Sequence, residues 1–448
     1  RTTSSLSSPR TITLGALAAG TSVPAGRSAP GSGARAQAAA STIHVHSNAG
    51  AHLRKSPASI PVPDGLTLGY RSPHGQTNPP HGIPVSEPFW ITRPGDLLDR
   101  LQLAPARVGL DTEFIRERTY WPRLALVQMA VGEDILLVDP LLPGMPAALA
   151  AWLDAPGVLK VMHSAGEDLI ALRCACGTLP RPMFDTQLAA ALAGIGAGMG
   201  YQKLVEQITG TTLAKGETRS DWLRRPLSPA QLEYAADDVR HLDALHDATS
   251  GRLRELGREA WLAEDVERML ASADRDEGET WPHLALRSAQ FLDAAGQRRL
   301  LRLLRWRERH AREHDLPRSW VLDNELAVAL SRDPPIDEAG LQRQLDATPK
   351  SPRRLAAAIW QALSTALPDE DGMPMAAGDP DRNAIRRLQD AVARRSGELG
   401  LPDGVLGSRR HLEALLESGQ WPPALQGWRR DELEPVLAPL LAPAPATG

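Results

Sequence analysis

Asp111 and Glu113 stand two residues apart in Arg107-Val108-Gly109-Leu110-Asp111-Thr112-Glu113-Phe114, a run that reads as a short strand. Side chains alternate along a strand, so both carboxylates project from one face, roughly 6–7 Å apart along the backbone. Two like charges so placed repel unless cations lie between them. Hard oxygen ligands at that spacing suit Mg²⁺ or Mn²⁺. An Asp-x-Glu alone is also what a half-exposed strand carries, so the weight rests on its companions downstream. Asp168 falls in the first turn of a helix after the strand Val158–Met162 and the loop His163-Ser164-Ala165-Gly166. That place suits a charge favoured by the helix dipole, or a site residue at the carboxyl end of a strand. Tyr234 and Asp238 lie four apart on a later helix and share a face, with about 5–6 Å between their Cβ atoms. Asp185 reads as a helix N-cap and Asp237 as a solvated neighbour.

The elements that must position these groups can be read from pattern. A short helix over Asp96–Leu103 precedes three strand-like runs, 107–114, Leu124–Val131 and Ile135–Val138, the last two separated by a hairpin-like gap. A fourth strand opens into mostly helical sequence up to about 275, which predicts an α/β domain with a mixed sheet. Ser228, Pro229 and Gln231 form a capping-box start for the helix that carries Tyr234 and Asp238. Beyond 280 the chain reads as all-helical, with an imperfect repeat. Leu316-Pro317 and Val321-Leu322 recur as Leu401-Pro402 and Val405-Leu406, at an offset of 85 and then 84 residues. The repeat implies two small helical modules, about 285–370 and 380–445, joined by the Pro-, Gly- and Asp-rich stretch Leu367–Asp381. In the first, Arg298, Arg302, Arg305, Arg309 and Arg312 make one helical stripe. Such a stripe tracks a phosphate backbone or forms a solvated face.

Composition sets outer bounds. The 448 residues carry a formal charge of −4, and 45 of the 50 basic residues are Arg. Residues 1–85, rich in Ser, Ala, Gly, Pro and Thr, hold seven basic residues against the single acid Asp64, leaving −10 for 86–448. They read as a disordered low-complexity extension, with an organellar transit peptide as the alternative. Cys174 and Cys176 lack the second pair that a zinc site needs and read as reduced, partly buried thiols. No apolar run is long enough to span a membrane, and nothing points to an obligate protein partner. A bacterial-type cytoplasmic location is expected.

Three segments then combine. Asp-Thr-Glu-Phe-Ile-Arg at 111–116 with Tyr120 and Pro122, His-Ser-Ala-Gly-Glu-Asp-Leu at 163–169, and Tyr-Ala-Ala-Asp-Asp at 234–238 resemble, in order and spacing, the exonuclease motifs of the ribonuclease D family. Ser-Asp-Trp-Leu at 220–223 with Arg-Pro-Leu at 225–227 is similar too. The likeness covers about 90–280, placing an exonuclease domain at 86–280, and the two helical modules resemble the family's tandem HRDC domains. The resemblance implies a ribonuclease-H-like, DEDD-type 3′→5′ exonuclease. Asp111, Glu113, Asp168 and Asp238 would hold two divalent ions, Mg²⁺ or Mn²⁺, and Tyr234 would orient the attacking water. Two ions about 3.5–4 Å apart activate water and neutralise the leaving oxygen, which agrees with four hard carboxylates. Lys215 and Arg219 either clamp phosphates or lie on the surface, and His163 either meets a substrate phosphate or holds its loop. The implied substrate is an RNA 3′ end, that of precursor tRNA, cleaved to 5′-mononucleotides. A DNA-directed exonuclease would keep every motif. A non-catalytic RNA-binding protein would have a degraded centre, whereas all five positions are intact. Removing 285–448 is expected to weaken RNA affinity more than the chemical step.

Overall fold

The strand that carries Asp111 and Glu113 lies inside a six-stranded mixed sheet. The computed structural model describes residues 87–102, 105–214, 216–217, 219–275, 278–376, 378 and 381–441. The expectation for 1–85 lies outside them. The strands are β1 (Phe89–Ile91), β2 (Arg107–Ile115), β3 (Arg123–Val131), β4 (Asp134–Val138), β5 (Leu159–Met162) and β6 (Met183–Asp185), ordered β1-β4-β3-β2-β5-β6. β2, β3 and β4 run antiparallel, whereas β1 pairs parallel with β4, β5 with β2, and β6 with β5. The four expected strands are present within one residue at each end. β1 and β6, three residues each, are too short to show an alternating pattern.

β5 matches β2 only from Arg107 to Gly109, so β2 runs on past the end of its neighbour. Asp111 and Glu113 sit in that free stretch, where antiparallel pairing on one side meets parallel pairing on the other. The register of β2 on β3 shifts after Glu113, leaving Ala125 as an extra residue. Bulges of this kind bend a strand and re-aim its side chains beside active sites.

Among the described residues eight helices accompany the sheet: α1 (Pro94–Gln102), α2 (Met145–Leu153), α3 (Gly166–Cys176), α4 (Thr186–Leu192), α5 (Tyr201–Thr209), α6 (Pro229–Arg240), α7 (Leu242–Glu255) and α8 (Glu259–Ala273). The capping box at Ser228 forms as its sequence demands, with Gln231 N donating to Ser228 Oγ and Ser228 N to Gln231 Oε1. α7 packs so close to β2 that a Cβ at Gly109 would come 3.1 Å from Ala130 Cβ and 3.2 Å from Leu242 Cβ. Cys174 is exposed and Cys176 half-buried, both with free thiols.

Beyond the sheet the chain is largely helical. α9 (Ala294–Glu313), α10 (Arg318–Val321), α11 (Asn324–Arg332), α12 (Glu338–Ala347) and α13 (Ala356–Ser364) enclose their own core of Leu300, Leu303, Leu304, Val321 and Ile359. Tyr120 of the α/β domain is part of that core. Among the described residues the last helices, α14 (Arg382–Leu399), α15 (Arg409–Ser418) and α16 (Trp428–Leu441), form no separate core, because Leu388, Leu412 and Leu433 join the cluster of the sheet. Trp428 stacks on Trp261 of α8 at 4.3 Å, and Arg429 grips the buried Asp265 through two bonds of 2.5 and 2.9 Å. Cutting at 285 would therefore uncover the apolar face of α8, so affinity and chemistry would not separate cleanly as the sequence suggests.

Three of the five arginines in the α9 stripe are engaged internally, whereas Arg309 is exposed. Arg302 binds Glu370, Arg305 binds Asp369 and the Thr280 carbonyl, and Arg312 reaches the Tyr120 hydroxyl at 3.0 Å. Among the described residues, no helix is long and apolar enough to cross a membrane.

Trp428→Ala should lower stability by about 3–5 kcal/mol, the range for emptying a buried aromatic site. Urea unfolding followed by a probe in the sheet should shift together with one in α16. Independent transitions would contradict the shared core.

Candidate active site

Each acidic group reaches the centre by a different route. Asp111 and Glu113 stand opposite Gln128 and Leu126 of β3. Thr112, which alternation turns to the other face, donates from Oγ1 to Asp168 Oδ1 at 2.5 Å and draws the first turn of α3 to the edge of β2. The loop before α3 is fixed by Asp185, whose Oδ2 accepts from Ala165 N while its Oδ1 accepts from Gln187 N and Leu188 N, each at 2.9 Å. Asp185 is thus the expected N-cap and also anchors the loop that carries Asp168. α6 supplies Asp238, which accepts a hydrogen bond from Tyr234 one turn earlier. Asp237 is half-buried and paired with Arg240, away from this group.

The four carboxylates are half-buried, and among the described residues none has an ion-pair partner. Nor do three acidic, His or Cys groups there close into a ready-made coordination cage. Their electrostatics record the crowding. Asp111 is held well above the usual carboxylate range by burial and then by the charges of Asp168, Asp238 and Glu113. Glu113 is pushed up to about 9 by burial, Asp238 and Asp168. Burial raises Asp168 and Asp238 to about 7 each, opposed by the hydrogen bonds from Thr112 and Tyr234 respectively. Uncompensated hard anions gathered this way fit divalent cations.

Tyr234 is held on two sides. Its ring lies 6.0 Å from that of the buried Trp222, and a Cβ at Gly216 would fall 2.9 Å from its Cδ2. Gly216 therefore borders the centre. Lys215 lies outside the described residues; Arg219 is exposed and makes no hydrogen bond or ion pair with any of them. Both ring nitrogens of His163 are engaged. Nε2 donates to the Met199 carbonyl at 3.0 Å, and Nδ1 meets Thr186 Oγ1 at 2.9 Å. Burial lowers the His163 pKa against the opposing pull of Asp185, and the two protein partners suit a ring that holds its loop.

Sequence reasoning passed over four supporting residues. Arg225 binds the buried Asp139 through Nε and Nη2 at 2.7 and 2.8 Å and donates to the carbonyl of the bulge residue Ala125 at 2.6 Å. It thereby ties the approach to α6 to the bend beside Glu113. Tyr201 donates to the Asp237 carbonyl at 2.9 Å and accepts from His241 N at 3.2 Å, clamping the end of α6. Gln128, opposite Asp111, is buried with an amide that makes no hydrogen bond among the described residues. Gly216 sits in a loop whose sequence signal is its charges rather than its glycine. For Arg225 a signal existed in its motif; the others become visible only through contacts distant in sequence.

A family profile described as 3′-5′ exonuclease matches residues 91–253, which span all four acids and Tyr234. Ribonuclease D of Xanthomonas oryzae pv. oryzae is 65% identical over 357 residues, covering 79% of this chain and 98% of its own length. The chain belongs to the ribonuclease D family. Ribonuclease D of Shewanella sp. is 34% identical, over 77% of this chain and 91% of its own. The crystal structure of Escherichia coli RNase D, described as an exoribonuclease involved in structured RNA processing, aligns with a TM-score of 0.69 at 29% identity, covering 80% of this chain and 99% of that one. The mixed sheet and the helical region after it are thus those of a ribonuclease D exonuclease.

Two outcomes test this centre without substrate. A carboxyl pKa raised on folding means that the folded state holds its proton more tightly, so the metal-free protein loses stability as pH climbs from about 4 toward 9. Mg²⁺ or Mn²⁺ should raise Tm more at pH 8 than at pH 6, and Asp238→Asn should stabilise the metal-free protein at pH 8 by on the order of 2 kcal/mol. Metal-independent melting at both values would contradict the assignment. Gly216→Ala should lower kcat at least about tenfold, by displacing the Tyr234 ring, while changing Tm little. Unaltered kcat would show that the loop does not position Tyr234.

Proposed function

We propose that the chain hydrolyses RNA from its 3′ end, releasing 5′-mononucleotides, and that its substrate class is the 3′ trailer of precursor tRNA. The observation that carries this reading is the meeting of Asp111, Glu113, Asp168, Asp238 and Tyr234 in one cluster that holds no basic partner among the described residues. Kinship with ribonuclease D favours RNA over DNA. Asp111, Glu113, Asp168 and Asp238 are assigned to holding two divalent ions, Mg²⁺ or Mn²⁺. When bound, such ions make a water more acidic and neutralise charge on the leaving oxygen.

The side chains themselves do the rest. Tyr234 donates its O–H to Asp238, which leaves the phenol oxygen free to accept a hydrogen from the attacking water. Water oxygen bonds to phosphorus and sheds a proton to solvent, the bond from phosphorus to the 3′-oxygen breaks, and that oxygen, which stays on the shortened RNA, takes up a proton from solvent as the nucleotide leaves. Thr112 and Arg225 act through others, the first by fixing Asp168 and the second by bracing the bulge and α6. We assign His163 to its loop. Arg219 remains a candidate phosphate contact because Gly216, three residues before it, borders Tyr234, and Lys215 is a candidate as the residue preceding Gly216 in sequence. We read α9–α13 and α14–α16 as the two HRDC-like modules, supported by the long helix that opens each. A cytoplasmic location is part of this reading, supported by the bacterial relatives.

The test is digestion of a 5′-labelled RNA with a 3′ extension, beside its 3′-phosphorylated twin and a DNA of the same sequence. Metal-dependent laddering from a 3′-hydroxyl RNA is expected, with slower DNA cleavage. Asp111→Asn and Asp238→Asn should each remove at least about 10³-fold of the rate, with circular dichroism unchanged. Wild-type cleavage by Asp238→Asn would defeat the site, and a preference for DNA would favour the other substrate.

A further inference from the structure

Where the α/β domain meets α9 and α10, a pocket of about 400 Å³ opens between Arg116, Glu117, Thr119, Tyr120, Arg307 and Arg318. Clefts of this order accept small polar groups. Two of its three guanidinium groups are already matched, Arg116 by Glu167 at 3.0 Å and Arg318 by Glu308 at 2.5 Å. Arg307 is not. Its Nη1 donates to the Leu322 carbonyl at 3.0 Å and to Asn324 Oδ1 at 2.7 Å, both neutral, and its Nε, itself closed off from solvent, has no partner among the described residues. A half-buried charge with only neutral acceptors favours an anion from outside. Burial and then the neighbouring Arg318 lower the Arg307 pKa, opposed by the charges of Glu308 and Asp323.

Two further observations say which anion. Arg116 stands three residues beyond Glu113, about 10 Å of extended chain, and pairs with the residue before Asp168. The pocket is therefore within a short run of nucleotides of the carboxylates. Trp320, adjacent to the lining residue Ser319, leaves 58% of its surface exposed on a turn otherwise anchored by the buried Val321. An exposed indole beside guanidinium groups is a platform for an unpaired base.

We propose that this pocket binds a backbone phosphate of the RNA strand whose 3′ end lies at the four carboxylates, with Trp320 as a stacking surface for a base. The proposal rests on the exonuclease reading for the placement of the 3′ end. Tyr120 unites the two functions: its hydroxyl joins Arg312 and Arg318, each at 3.0 Å, so the contact that docks the helical region also shapes the phosphate pocket.

The test is fluorescence anisotropy of a labelled single-stranded RNA of about a dozen nucleotides, in EDTA, with the full chain and at several salt concentrations. Arg307→Gln should weaken binding about fivefold or more and reduce the steepness of the log–log salt dependence by about 0.7, the value of one phosphate contact on a single strand. Trp320→Ala should weaken binding about fivefold or more with the salt dependence unchanged. Arg254→Gln, an exposed arginine outside the pocket, controls for general charge. RNA affinity within twofold of wild type for both pocket variants, or no RNA binding by the wild type, overturns the proposal. Because Trp320 is surface-exposed, its variant still decides the question if Arg307→Gln fails to fold. If wild type binds with these sensitivities yet does not shorten the RNA when Mg²⁺ is added, the pocket stands and the exonuclease reading falls.

Discussion

Four carboxylates in one another's field repel, and nothing among the described residues neutralises them. A protein that keeps such a cluster must brace it from outside, and much of this fold is that bracing. Thr112 fixes Asp168, Tyr234 bonds Asp238, Asp185 pins the loop before α3, and Arg225 holds the bulge and the approach to α6. Each brace is a hydrogen bond to a buried or half-buried group, where loss of a partner is strongly destabilising. The same repulsion makes the site receptive to divalent cations. Destabilisation of the empty cluster and affinity for metal are two consequences of one charge arrangement.

The helical region takes part in this bracing. Its last three helices share a core with the sheet through Trp261, Trp428 and the buried Asp265–Arg429 pair. Its first five have their own core, into which the α/β domain inserts Tyr120. At that junction Asp315 Oδ1 accepts from both Tyr120 N and Trp121 N at 3.0 Å, so backbone as well as side chain is held. Tyr120 lies only a few residues beyond Glu113 on the same chain. The mechanical link from the helices to the site is therefore short, which explains why a Tyr stands within the first exonuclease motif although it lies outside the carboxylate cluster.

Much of the centre was legible because its geometry is local. Alternation along β2 places Asp111 and Glu113 together, the helical turn places Tyr234 and Asp238 together, and Ser228 with Gln231 marks where that helix begins. Asp185 was readable as a cap for the same reason. The arginine stripe of α9 was misleading because spacing gives a face without giving its neighbours. Glu370 and Asp369, more than 60 positions away, occupy two of its members. His163 was ambiguous for a like reason, since its partners Thr186 and Met199 arrive through the packing of α4 and the loop before α5.

By itself, the sequence determined the types of the main elements, the acids they carry and the family whose motifs they match. These depend on periodicity and capping, which act over a few residues. Tertiary structure alone decided how deeply the acids lie, which cations are engaged in internal pairs, and which, Arg307 among them, have neutral partners. It also decided that the final helices complete the core of the sheet. Desolvation and pairing depend on what the rest of the chain brings within a few ångströms, and no local pattern encodes that.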